Sequence, residues 1–281
     1  MDRLLVLRLE TSGMEAEAAM NGVPLLRVGP TQRVALLAVH EYALAGSNQL
    51  TLGVRPLPPA GVSAALPAEL SDGSAWVRLQ LLLPRLDSAA DPALSRTVGQ
   101  IEWAPAAGEL LTFPLQLEGR VELPIAFPRW RWLDVPVIAI PQHGPPDTPV
   151  AVLEALRPGL AIWLQDIALG LMRGDATPLL QACRLRLEEQ AIAYQQPLDV
   201  LAQRLAAHIG ALHSAQPLKP ALHTAGTLRM RLVAQGRLIE CLGPDGGPAL
   251  CAPRRPAVGP QAGLAWPLRV AVMDGRFYGL R

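Results

Sequence analysis

From the N-terminus to about residue 145, short apolar or alternating stretches recur between turn signals; beyond about residue 149 they give way to helical periodicity. This change of hydrophobic period constrains the fold most, because a strand buries every second side chain and a helix buries one stripe. It predicts two domains. Residues 1–145 read as an all-β sandwich or barrel, and residues 149–281 as an α+β domain in which two or three helices precede an antiparallel sheet. A chain of 281 residues is long enough to build two cores.

Within the first half, strands are expected over 4–10, 16–20, 23–28, 33–42, 49–54, 75–83, 97–103, 110–117 and 120–125. Asn21-Gly22 between two apolar runs predicts a type I′ hairpin, since both central residues of that turn need positive φ. The proline-rich stretch 55–67 reads as a loop, because proline cannot donate to a central ladder. The Gly/Pro/polar cluster 142–149 marks the domain boundary, with Thr148 as a helix cap and Pro149 at the first helical position.

In the second half, helices are expected over 149–174 with a break at Arg157-Pro158-Gly159, from a cap at Asp175 to Tyr194, and over 197–213. The second would bury Leu179, Leu180, Cys183, Leu187 and Ile192, leaving Glu188 and Glu189 on a solvated face with Arg184 and Arg186. The third would bury Leu198, Leu201, Leu205 and Ile209. Strands follow over 227–233, 237–241, 266–273 and 276–280, the last pair joined by Asp274-Gly275.

Charge and composition exclude several classes. Twenty-five basic residues against 24 acidic ones leave a net +1, whereas a nucleic-acid binder carries a basic excess. Half of the residues are hydrophobic, which excludes a disordered chain. The strongest membrane candidate, 150–172, contains Glu154, Arg157, Pro158 and Asp166 and reads as a buried helix, so no membrane span is expected. Arg8 and Glu10 interrupt the first apolar run, which predicts no secretory signal and a cytoplasmic protein. Three cysteines without a CxxC pair predict reduced thiols and no structural zinc. Twenty-four arginines beside the single Lys219 suggest GC-rich coding and a bacterial source.

No GxSxG, P-loop, GxGxxG after a strand or HExxH is present, so no catalytic residue, metal or cofactor is expected. His208 and His213 are five apart and do not share a helix face. His40 and Glu41 fall on opposite faces of the expected strand. The most unusual stretch runs from Phe127 to Asp134. Extended, it sets Trp130 and Trp132 on one face and Arg129 and Arg131 on the other, all residue types enriched in binding hot spots. Two readings stand: an exposed binding surface, or tryptophans packed in a core. Arg254-Arg255, between prolines, is a second binding candidate suited to an acidic protein partner.

Two stretches carry resemblances. Asn21-Gly22-Val23-Pro24, a strand to His40-Glu41-Tyr42, and Gly46-Ser47-Asn48-Gln49-Leu50-Thr51-Leu52 resemble the galactose-binding-like jelly-roll pattern. Leu171-Met172-Arg173-Gly174-Asp175, between helices and ahead of a sheet, is similar to the NTF2-like cone fold. The whole resembles accessory proteins of type VI secretion and polymorphic-toxin systems. That resemblance implies a non-catalytic protein-binding factor, an immunity or adaptor-like protein for a secreted antibacterial effector. The alternatives are a carbohydrate-binding sandwich fused to an NTF2-like domain, or an NTF2-like enzyme using Asp166, Glu240 or His208 in a polar pocket.

Overall fold

A computed structural model describes residues 4–56, 68–69, 75–85, 92–106, 110–139, 151–253 and 264–281. The chain gathers into two compact units, Met1–Arg129 and Trp130–Arg281. The expected boundary at 142–149, the Thr148 cap, most of the proline-rich loop and Arg254-Arg255 lie outside the described residues.

Unit 1 is all-β. Its strands are β1 (Val6–Ser12), β2 (Met14–Met20), β3 (Val23–Val28), β4 (Val34–Ala38), β5 (Gly46–Pro56), β6 (Ala68–Glu69), β7 (Trp76–Pro84), β8 (Ser95–Trp103), β9 (Leu110–Leu111) and β10 (Leu115–Leu123). Two four-stranded sheets form, in the orders β4-β1-β7-β8 and β10-β5-β2-β3, and β6-β9 is a separate two-stranded pair. Neighbours are antiparallel throughout. The buried residues obey the period of two: Leu7 and Leu9 on β1, Met14, Ala16, Ala18 and Met20 on β2, Leu50, Leu52 and Val54 on β5. The sheets meet closely where side chains are smallest. A Cβ on Gly99 of β8 would lie 2.2 Å from Val121 Cγ2 of β10, and one on Gly119 of β10 would lie 3.1 Å from Ile101 Cγ1 of β8.

The predicted hairpin is present, with φ of 53° at Asn21 and 76° at Gly22, the signs a type I′ turn requires. Asn21 also reaches sideways. Its Nδ2 donates to the Tyr42 carbonyl at 2.8 Å and to Asn48 Oδ1 at 2.9 Å, while its Oδ1 accepts the Gln49 N–H at 2.9 Å. Asn48 Oδ1 accepts the Leu44 N–H, and its Nδ2 donates to the Leu44 and Gly46 carbonyls. The two asparagines thus bind the β2–β3 turn to the start of β5.

The expected strand over 33–42 ends early. After β4 the chain makes a 3-10 turn over His40–Tyr42, and His40 and Glu41 are both buried rather than on opposite faces. His40 Nδ1 accepts the buried Leu5 N–H at 3.0 Å, and the ring stacks edge-on against Phe127. Burial holds the imidazole below its ordinary pKa of 6.5, opposed by the neighbouring Glu41 charge. Since the unfolded chain binds a proton at His40 near pH 6.5 and the folded chain only at lower pH, stability rises with pH across that window. It is fully present above about pH 6.5 and lost as pH falls toward the folded value. His40→Asn keeps an acceptor without a titrating ring. The wild type should lose thermal stability between pH 7.5 and 5 by a larger margin than this variant, and equal losses in the two would exclude His40 as the source.

The expected strands over 110–117 and 120–125 are instead the two-residue β9 and the continuous β10. β10 pairs with β5 along its whole length, from Leu115↔Val54 to Leu123↔Gly46.

Unit 2 is α+β. Its helices are α1 (Ala151–Met172), α2 (Thr177–Ala182), α3 (Arg184–Tyr194) and α4 (Leu198–Ala215), and its strands β11 (Arg229–Val233), β12 (Leu238–Leu242), β13 (Cys251–Ala252), β14 (Leu264–Ala265), β15 (Arg269–Met273) and β16 (Arg276–Gly279). The sheet runs β11-β12-β15-β16, with β13-β14 as a separate ribbon. Asp274-Gly275 turns β15 into β16 with φ of 50° and 70°, as expected.

Three helical expectations change. α1 runs unbroken through Pro158, because Leu153, Leu160, Leu164, Ile167 and Leu171 form one buried stripe whose packing outweighs the lost hydrogen bond. The segment 175–194 is two helices that break at Cys183, whose φ and ψ are −100° and 11°. Asp175 does hold the start, its Oδ1 accepting the Thr177 N–H at 2.9 Å. Ile192 and Leu198, expected in the core, are 58% and 40% exposed. Among the described residues, no helix is long and apolar enough to cross a membrane.

Candidate binding cleft

α3 and α4 are joined by residues 195–197 only. The turn opens with Gln195 in the left-handed region (φ 51°), and the Gln196 N–H closes back on the Ala191 carbonyl at 3.0 Å, a Schellman-type stop. Two neighbouring helices result, and between them lies a cleft of about 510 Å³. Cys183, Arg186, Leu187 and Gln190 line one wall, and Leu201, Arg204, Leu205 and His208 the other. Each set follows i, i+3, i+4, i+7 spacing, the condition for four side chains to share a helix face. Residues 265–268, with Trp266 and Leu268, close the third side, and Leu179 of α2 completes the lining.

The cleft lining is mainly apolar. It carries two arginines and a histidine, and among the described residues its lining includes no Asp or Glu. The acidic residues of α3 are engaged elsewhere. Glu188 accepts from Arg131 Nη1 at 2.6 Å and from Arg184 Nε at 3.0 Å, and Arg131 above all holds its carboxyl below the usual range. Glu189, expected on a solvated face, is buried, paired with the Arg281 guanidinium and accepting the Arg131 backbone N–H. The Arg184–Glu188 pairing at i, i+4 matches the expected surface arrangement.

The Phe127–Asp134 stretch is a structural element here. A 3-10 turn covers Arg131–Leu133. Trp130 and Trp132 are 1% and 2% exposed, so neither ring offers an open stacking face. Arg129 and Arg131 are exposed, and Arg131 pairs with Glu188. Trp266, which the sequence did not single out, is the tryptophan at the cleft.

The other candidate groups are dispersed. Glu240 sits mid-sheet, flanked in register by Arg231 and Arg269. It accepts from Arg231 Nε at 2.8 Å and from Arg269 Nη2 at 3.4 Å. Asp166 is exposed on α1. His223 is buried with Nε2 2.9 Å from the Ala249 carbonyl, and His213 Nδ1 accepts the Leu218 N–H at 3.4 Å. Of the three residues named for the enzymatic alternative, any one of which would serve it, His208 lines the cleft and Asp166 and Glu240 do not. Cys183 shares it, but burial pushes the thiol up, the opposite of what an activated nucleophile requires. Burial also raises the Cys241 and Cys251 thiols, and all three cysteines are free. Among the described residues, no three His, Cys, Asp or Glu side chains gather to hold a metal ion.

A signal for the cleft was present in the sequence. The stripes 183/186/187/190 and 201/204/205/208 mix leucine with arginine and a polar residue at i+7, whereas a fully buried stripe carries apolar side chains alone. Comparison with known proteins returns no matching family model, no similar curated protein and no similar solved structure.

Proposed function

We propose that the chain is a non-catalytic protein-binding factor that receives a segment of its partner in the α3–α4 cleft. The observation that carries this reading is the cleft itself: a mainly apolar lining between two helices that includes Arg186, Arg204 and His208 and, among the described residues, no carboxylate. The buried carboxylates Glu189 and Glu240 are matched to arginines, which suits a packing role for them. The specific form proposed is an immunity or adaptor-like factor, acting in the bacterial cytoplasm on a secreted antibacterial effector. Within it, unit 1 is taken as a jelly-roll-like sandwich and unit 2 as an NTF2-like fold.

The test is capture from the producing bacterium with the tagged wild type, Leu205→Glu and Leu36→Glu. Leu205 lines the cleft, and Leu36 is exposed on β4 of the other unit. One stoichiometric partner is expected with the wild type and Leu36→Glu. With Leu205→Glu its recovery should fall about tenfold, the loss of a single apolar anchor. Circular dichroism establishes that each variant is folded. A wild type without a stoichiometric partner, or a folded Leu205→Glu chain that retains it, would overturn the proposal.

A further inference from the structure

We infer that the exposed face of α1 is a self-association surface, covered by the same face of a second copy of this chain packed antiparallel about a two-fold axis beside Leu169. None of the residues on this face lines the cleft, so the inference goes beyond the protein-binding reading and does not depend on it.

α1 is apolar on two opposite sides. Leu153, Leu160, Leu164, Ile167 and Leu171 are buried in the core of unit 2. Ala155, Pro158, Ile162, Asp166 and Leu169, with Arg173 directly after the last helical residue, follow one another at spacings of three or four and are all exposed. That spacing places them on the face opposite the buried stripe. Ile162 is 61% exposed and Leu169 40%. A surface helix carries polar residues on its outward side, and one that is apolar all round belongs in an interior. Gln165 widens the surface: its Nε2 donates to the His223 carbonyl at 2.7 Å, which brings the chain at the half-exposed Leu222 alongside α1. Contiguous exposed apolar surface of this kind marks an interaction site.

The charges on the stripe say what covers it. Asp166 and Arg173 are of opposite sign and seven residues apart, about 10 Å along the axis, with Leu169 between them. Among the described residues neither side chain makes a hydrogen bond or an ion pair. Bonds to Thr177, and last of all the Arg173 charge, hold the Asp175 carboxyl below its usual range, so Arg173 is not committed there.

An acid, a leucine and a base in this order are complementary to themselves. Across a two-fold axis, whatever one residue touches on the other copy touches it in return. With two α1 helices antiparallel about an axis beside Leu169, Asp166 of each copy lies level with Arg173 of the other. The charge pair forms twice, and the two Leu169 side chains pack between. A parallel pair would set like charges together, and a partner of a single charge sign would attract one of the two residues and repel the other.

Sedimentation equilibrium of the full chain at low salt tests this from about 1 to 300 μM, a range that spans weak interfaces. The wild-type mass should rise with concentration from 30.1 kDa toward twice that value. Asp166→Arg and Arg173→Asp each set like charges opposite one another, and each should weaken association by about tenfold or more. Both positions are exposed, and circular dichroism establishes that the variants are folded. An equimolar mixture of the two variants should associate as tightly as the wild type, because every facing pair is again of opposite sign. Leu205→Glu, in the cleft, should leave the dimer intact. A wild type that stays at 30.1 kDa, single variants that associate as well as the wild type, or a mixture that associates no better than its components would each overturn the inference. So would a dimer lost in Leu205→Glu, which assigns the contact to the cleft. Capture of a partner through the cleft stands or falls separately, on the Leu205→Glu pull-down.

Discussion

Glu189→Ala should destabilise unit 2 by about 3–5 kcal/mol, the usual cost of breaking a buried ion pair from one side. Arg281 is fully buried and its guanidinium pairs with the Glu189 carboxylate across 92 residues of sequence. Alanine leaves that positive charge in a low-dielectric interior without its carboxylate, and deprives the Arg131 backbone N–H of its acceptor. Glu189→Gln restores an acceptor for that N–H but not the negative charge, and should recover only part of the loss. Urea unfolding followed by far-ultraviolet circular dichroism measures both, because all the α-helices among the described residues belong to unit 2. A loss under about 1 kcal/mol for Glu189→Ala would place the pair in the surface class and contradict its burial. The consequence reaches the site, since α3 supplies one wall of the cleft. Glu189 faces the Arg131–Arg281 side of that helix, while Cys183, Arg186, Leu187 and Gln190 face the groove.

Asn48→Ala should cost unit 1 about 3 kcal/mol, because it strands several buried polar groups at once. The side chain is almost completely buried and uses both of its Nδ2 hydrogens and its Oδ1, on Leu44, Gly46 and Asn21. Asn48→Asp is isosteric yet should be no milder, since an oxygen would then face the Leu44 and Gly46 carbonyls. The amide hydrogen of Leu44 should exchange faster in both variants. An Asn48→Asp chain as stable as the wild type would show that shape, and not donor chemistry, governs this corner. These bonds also explain why Asn21-Gly22 and Gly46-Ser47-Asn48 occur together in the chain. Their amides close the β2–β3 turn onto β5, a structural duty that leaves Asn48 no free donor for a ligand.

Much of the fold was legible because it is written in local sterics. The positive φ of Asn21-Gly22 and Asp274-Gly275 follows from what those residues tolerate. The strand alternation of β1, β2 and β5 follows from side-chain direction. Errors came where two local signals competed. Pro158 predicts a break, but a long buried stripe carried the helix past it. Residues 33–42 alternate, but the buried bond from Leu5 N–H to His40 Nδ1 goes with a 3-10 turn where the alternation would have continued.

The candidate site was only half legible. Leu201, Leu205, Cys183 and Leu187 were expected on buried apolar faces; all four line the cleft, and Leu201 and Leu205 are only half-buried. Trp130 and Trp132 attracted attention by their chemistry and are buried, whereas Trp266, in an unremarkable context, reaches the groove. What the sequence by itself determined was the set of turns, the periods and hence the apolar face of each element. Tertiary structure alone decided which faces were closed over and which stayed open, and which distant charges met, such as Glu189 with Arg281. The physical reason is that φ preference and side-chain direction belong to a residue and its neighbours, while burial depends on what arrives from elsewhere in the chain.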